Sequence, residues 1–231
     1  MDSVLPLGEF ILAFAAFLAS HRLPMHPQVR GVLTNRLGTH GFLLAYSALS
    51  VLLLGWVFGA AGRAPYIPLW GTSPALAHLA LVAMAMAFLL ACLTLGRPNP
   101  FSFGGARNDH FNPARPGMVR LTRHPLLAAL ALWSGAHLLA NGDGVHVLLF
   151  GSFLLFSIAG YRVLDRRCRD RMGPSWRALA DAVAAAPLSA ALFPLGPTIL
   201  RAMLAFLLLG LVLLLHPLLF GVDPLGAYFL P

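Results

Sequence analysis

Hydrophobic positions fall into six long runs, Val4–Ser20, Gly41–Ala60, Ala75–Leu95, Pro125–Ala140, Val145–Leu164 and Ile199–Gly221, separated by polar or proline-rich stretches. A helix needs about 17–25 mainly apolar residues to cross a bilayer core, and most of the runs meet that length. The fourth is the shortest and must take in His124 or Asn141 at its ends. The pattern predicts an all-α fold, a polytopic membrane helical bundle of about six transmembrane helices. Residues 1–231 read as a single transmembrane helical domain, with no internal repeat and no stretch of disordered-tail composition.

The polar positions orient the bundle. All 16 basic residues other than histidine are arginine. Arg22, Arg30 and Arg36 lie between runs one and two, and Arg97, Arg107, Arg115, Arg120 and Arg123 between three and four. Arg162, Arg166, Arg167, Arg169, Arg171 and Arg177 surround the fifth–sixth connection, and Arg201 opens the sixth run. Arg63 alone falls on the opposite side. By the positive-inside rule the loops 22–40, 96–124 and 162–198 are cytoplasmic. Both termini of this multi-pass membrane protein are then expected on the outer side. Met1-Asp2-Ser3 lacks the basic start of a signal peptide, so the first run is expected to stay as a helix.

Composition refines this picture in three ways. Charged residues make up 10% of the chain, against about 25% in an average soluble domain. A pI near 11 would suggest nucleic acid in a soluble protein, but here topology accounts for the charge, and the expected partners are membrane lipids. Cys92 sits inside the third run and Cys168 in a basic loop, so the two are read as separate reduced thiols.

The connections differ in kind. Residues 61–74 carry Tyr66 and Trp70, suited to the interfacial belt. Residues 96–124 form a long loop rich in proline and glycine, of the sort that tends to be functional or mobile. Residues 178–197 are apolar but broken by Pro187, Pro194 and Pro197. They are expected to lie at the interface or re-enter shallowly.

Histidine carries the chemical signal, with nine in the chain. His21, His26, His40, His110 and His124 fall at the cytoplasmic side; His78, His137, His146 and His216 fall in the outer half. At 1.5 Å per residue His137 lies roughly 20 Å from His124, so these two cannot share a site. His137 and His216 can meet near the outer leaflet, and His21 and His124 near the cytoplasmic leaflet. Paired histidines at one depth are what a membrane haem needs, and polar groups inside a membrane are often functional. Histidines at helix ends also serve simply to bond headgroups, water or backbone. Glu9, inside the first run, reads as a snorkelling side chain, a proton relay or a neighbour of a haem propionate. His-Glu-x-x-His, Cys-x-x-Cys, Gly-x-Ser-x-Gly and a phosphate loop are all missing from the sequence.

Gly117-Met118-Val119-Arg120-Leu121-Thr122-Arg123-His124-Pro125 places His124 at a helix cap beside two arginines. This segment resembles the NnrU family. So do Gly135-Ala136-His137, Ser20-His21, and Leu37-Gly38-Thr39-His40 entering run two. The 15-cis-zeta-carotene isomerases are similar through Arg-x-Thr-Arg-His-Pro, the Ala-His pair, Asp165-Arg166-Arg167 and His216-Pro217. The resemblance covers essentially the whole chain. It implies an integral-membrane protein that binds haem b and is associated with nitrite and nitric oxide reduction. Its implied iron ligands are His21 and His124, with His137 and His216 as further candidates. Arg120 and Arg123 would pair with the propionates. A redox-dependent isomerase acting on a small or lipophilic substrate is the enzyme this suggests.

Two other classes remain open. Isoprenylcysteine-type membrane methyltransferases carry Arg-His-Pro at a comparable place, where it serves S-adenosylmethionine. Here Leu126 and Leu127 follow the proline instead of Tyr, and Asp165 stands without a Glu-Glu pair. A non-catalytic maturation factor for denitrification is the third class.

Overall fold

The computed structural model describes residues 4–22 and 26–226. Among the described residues seven α-helices follow in order: α1 Val4–Arg22, α2 Pro27–Arg63, α3 Pro74–Thr94, α4 Pro125–Ala140, α5 Gly144–Met172, α6 Pro174–Ala185 and α7 Leu195–Phe220. Among the described residues α1, α2, α3, α5 and α7 are long and apolar enough to cross a membrane. The fourth hydrophobic run forms α4, which at 16 residues is apolar but shorter than those five and ends where the run ends. His124 and Asn141 cap it, and Asn141 Nδ2 donates to the His137 carbonyl at 2.8 Å. Large apolar side chains point outward, as in Leu44, Leu214 and Leu218, the last 82% exposed. A surface like that is matched by lipid and not by water. This is a polytopic α-helical membrane protein.

Sequence sets the helix boundaries. Proline opens α2, α3, α4 and α6, where its missing N–H is no loss and its φ is already helical. Ser73 caps α3 by accepting from Leu76 N at 3.3 Å. Gly221, at φ 71°, takes the left-handed position that ends α7.

The chain forms two compact units. The first contains α1 and α2, up to Leu69, with Asp143–Val145. Here α1 packs on α2, burying Phe10, Ala13 and Phe14. The second run is longer than its apolar stretch: α2 begins at Pro27 and bends at Gly38, whose φ of 70° and ψ of 168° are not helical. Such a conformation is essentially confined to glycine. Near its far end Arg63 grips Glu9, Nη2 to Oε1 at 2.5 Å and Nε to Oε2 at 3.2 Å, while Trp56 Nε1 donates to Oε1 at 3.0 Å. The arginine that broke the charge asymmetry is thus paired with the acidic residue of the first run.

The second unit runs from Trp70 to Gly142 and from His146 onward. Its α3 packs against α4 and α7, through small buried residues such as Ala77, Ala80, Ala87 and Ala205 that allow close approach. α5 meets α4 where Trp133 rests on Phe150 and Phe153, with ring centroids 5.5 and 5.7 Å apart. The long 96–124 connection is firmly tied. Gly96 N donates to Gly104 O at 2.9 Å and Asn99 N to Asn108 Oδ1 at 2.8 Å. A 3-10 turn at Gly117–Arg120 follows. Residues 178–197 form the end of α6 and a 3-10 turn at Leu188–Leu192, which packs on Gly117–Arg120. α6 lays Trp176, Leu179 and Val183 over Phe101 and Val119. Cys168, expected in a loop, lies within α5; it is buried, with Sγ donating to Phe101 O at 3.0 Å. The apolar run stops at Leu164, but the arginine-rich continuation has good helix formers and so keeps the helix going.

Candidate functional site

The 3-10 turn at Gly117–Arg120 delivers Arg123 and His124 to the start of α4, facing Asp165 on α5. His124 is fully buried. Its Nε2 lies 2.9 Å from Asp165 Oδ1. Arg123 clamps the same carboxylate with two bonds, Nε to Oδ1 at 3.1 Å and Nη2 to Oδ2 at 2.7 Å. Forked arginine–carboxylate pairs of this kind are strong and directional. Around the ring, Tyr161 presents an edge at a centroid distance of 5.2 Å, and its hydroxyl is 3.2 Å from Thr122 Oγ1. Asn99 Nδ2 holds the Arg123 carbonyl at 3.0 Å. Trp176 lies 5.5 Å from Arg123 and 5.2 Å from Arg169, stacking with both guanidinium groups.

One atom stands out. The Nδ1 of His124 is buried and has no hydrogen-bond partner among the described residues. A carboxylate accepting from Nε2–H fixes the tautomer, so Nδ1 carries the lone pair. Burial pushes the pKa of this ring down, and the Asp165 bond pulls it back up. The balance keeps the ring neutral and its lone pair available at ordinary pH. That is the arrangement of an oriented base or of a metal ligand with a carboxylate behind it.

The other predicted residues have surroundings of their own. In the first unit His21 Nδ1 donates to Phe17 O at 2.8 Å, with its ring 4.3 Å from that of Phe17 and 5.8 Å from that of Tyr46. In the second unit His137 Nδ1 donates to Trp133 O at 2.8 Å and its ring stacks on Phe150 at 4.8 Å. His216 Nδ1 donates to Val222 O at 2.8 Å. His137 lies within electrostatic reach of both His216 and His146. Arg120 Nε donates to the carbonyl of Ala186, the C-cap of α6, at 2.6 Å, and not to the carboxylate. Among the described residues no three histidine, cysteine or acidic side chains are placed to hold a metal ion.

The candidate ligands present different nitrogens. His21, His137 and His216 each donate Nδ1–H to a carbonyl, which leaves Nε2 with the lone pair. His124 offers Nδ1 instead, with Asp165 as its outer partner. Sequence reasoning found His124 and Arg123 but did not give Asp165, Thr122, Tyr161 or Asn99 a role. Asp165 was visible only as part of a shared Asp-Arg-Arg string, and Tyr161 carried no signal within an apolar run.

A membrane helical bundle with an Arg–Asp–His cluster at a helix cap is the class these features define. The chain matches the family model described as NnrU protein over residues 9–224. It belongs to the NnrU family. No curated protein and no solved structure matches it.

Proposed function

We propose that this protein is an inner-membrane haem b protein of nitrite and nitric oxide metabolism, with His124 as the working ligand of its second unit. The observation that carries the reading is the buried, unpartnered Nδ1 of a ring whose other nitrogen is fixed by Asp165. Asp165 sets the tautomer and raises the basicity of the ring, and Arg123 holds Asp165 in place. Haem, when bound, would supply one-electron chemistry and an exchangeable position for a small ligand. A redox-dependent isomerisation of a lipophilic substrate is one reaction compatible with such a centre, though family membership does not fix the chemistry. The arginine distribution supports an orientation with this centre toward the cytoplasm and both termini periplasmic.

Absorption spectra of detergent-purified protein, oxidised and dithionite-reduced, test the reading. A Soret band in the wild type that is lost in His124→Ala and shifted in Asp165→Asn is the expected result. A wild type that retains no haem when expressed with haem supplied would sink it. Co-purified S-adenosylmethionine in that haem-free protein would point to the methyltransferase class.

A further inference from the structure

A concavity of about 140 Å³ lies in the second unit, between the end of α3 and the 97–119 segment. Its floor is mostly apolar, with Leu93, Met118, Val119 and Pro125; Arg97, His110 and Arg115 supply its charge. None of its lining residues is acidic. Asp109 sits beside the rim, 3.3 Å from His110 Nε2, and both side chains are largely exposed.

The guanidinium groups here differ from those at Asp165. Among the described residues, neither Arg97 nor Arg115 has a side-chain hydrogen bond or ion pair. Arg97 is half-buried, and the positive Arg201 lies within electrostatic reach. Arg201 itself donates to the carbonyls of Cys92 and Leu95, at 2.7 and 2.9 Å, and not to a carboxylate. Two neighbouring cations on partly buried ground without a counter-charge are unfavourable unless an anion joins them.

The segment that carries Arg97 is also held in shape. Its carbonyl accepts from Ala106 N at 3.3 Å, and its N–H donates to Thr94 O at 3.0 Å. Gly105 is closely packed: a Cβ there would press on Asn108 Oδ1 and lie tight against Asn99 N and Arg97 O. A guanidinium on a fixed turn loses less freedom on binding than one on a loose loop.

We infer that this concavity is a binding site for a single small oxyanion, such as a phosphate group, held by Arg97 with Arg115 at the rim. The volume accommodates a headgroup-sized anion. The same chemistry is offered by an anionic lipid headgroup or by a free inorganic anion. The apolar floor, and the place of Arg97 just past the end of a membrane-length helix, suit either a phospholipid phosphate or an ion entering from water. Because Pro125 lines the site and Asn99 holds the Arg123 carbonyl, occupancy would bear on the segment that presents His124. The proposal stands independently of haem.

The test uses the full-length protein in nanodiscs of neutral phosphatidylcholine, with two probes. One is phosphatidic acid mixed into the bilayer; the other is inorganic phosphate added to the buffer. Native mass spectrometry counts retained lipid, and thermal unfolding reports stabilisation by either probe. Arg97→Gln and Arg115→Gln are compared with Arg30→Gln, an exposed arginine of α2. The expected result is stabilisation of the wild type by at least one probe. Binding should be about tenfold or more weaker in Arg97→Gln, as loss of a charge-assisted contact implies, and less reduced in Arg115→Gln. Response to phosphatidic acid alone assigns the lipid source, and response to phosphate assigns the free ion. Arg115→Gln, on the exposed rim, keeps the test valid if Arg97→Gln misfolds. No response to either probe, or equal weakening by Arg30→Gln, overturns the proposal.

Discussion

Asp165 Oδ1 and His124 Nε2 lie 2.9 Å apart, across 41 residues of chain. That bond joins the start of one helix to the last third of the next, and it decides which ring nitrogen is left with a lone pair.

Replacing Asp165 by Asn keeps the shape but removes the charge that Arg123 and His124 both use. A loss of about 1–3 kcal/mol is expected for a buried polar partner left without its match. Arg123→Gln should cost less, because that side chain is 43% exposed and well screened. Chemical unfolding in detergent, run as a double-mutant cycle with His124→Gln, measures the coupling. An Asp165→Asn protein as stable as the wild type would show that the cluster contributes nothing to folding.

The depressed pKa of His124 gives a pH signature in haem-free protein. The folded ring resists protonation more than the unfolded ring, so the unfolded state binds the extra proton. Stability should therefore fall as pH drops below the ordinary histidine value of about 6.5 and level off once the folded ring is also protonated. Comparison of wild type with His124→Gln between pH 7.5 and 5 isolates this slope from other histidines. Parallel curves would mean that His124 titrates normally.

Gly142 is a third test. A Cβ there would run into the carbonyl of Trp70, whose N–H donates back to Gly142 O at 3.1 Å. Gly142→Ala should lower stability by about 1–3 kcal/mol, in the range of overpacking. Thermal unfolding equal to the wild type would show that the turn yields without strain.

Orientation can be checked directly. A reporter active only outside the cytoplasm, fused after Pro231, should be active, and one inserted between Arg107 and Asp109 should be silent. The opposite pair of results would invert the proposed topology.

Much of the fold was legible in the hydrophobic runs, because length and apolarity are sufficient to mark a membrane helix. α4 ends at the predicted residues since Pro125 and Asn141 are strong boundary signals. The parts that were missed were helices without an apolar signature: Pro27–His40 ahead of the second run, and Asp165–Met172 beyond the fifth. Composition alone treats both as loop. At the site, His124 and Arg123 were visible because they form a compact string. Asp165 was not assigned, since only the packing of α5 beside α4 shows that it faces them. Arg120 was grouped with Arg123 by adjacency, whereas a 3-10 turn sends it to Ala186.

Because α2 bends at Gly38, its 37 residues are not one rigid rod of about 55 Å. The segment after the bend is about 37 Å long at the same rise, close to the hydrocarbon thickness plus interfaces. A straight α2 would overshoot a bilayer and force it to thicken or the helix to tilt. The bend turns residues 27–37 away from the axis of the apolar segment, so they need not cross with it. One backbone position thereby limits the length of α2 that has to match the bilayer to the apolar segment beyond it. Gly38→Ala, strained at that φ, should restrict stable reconstitution to a narrower range of lipid chain lengths.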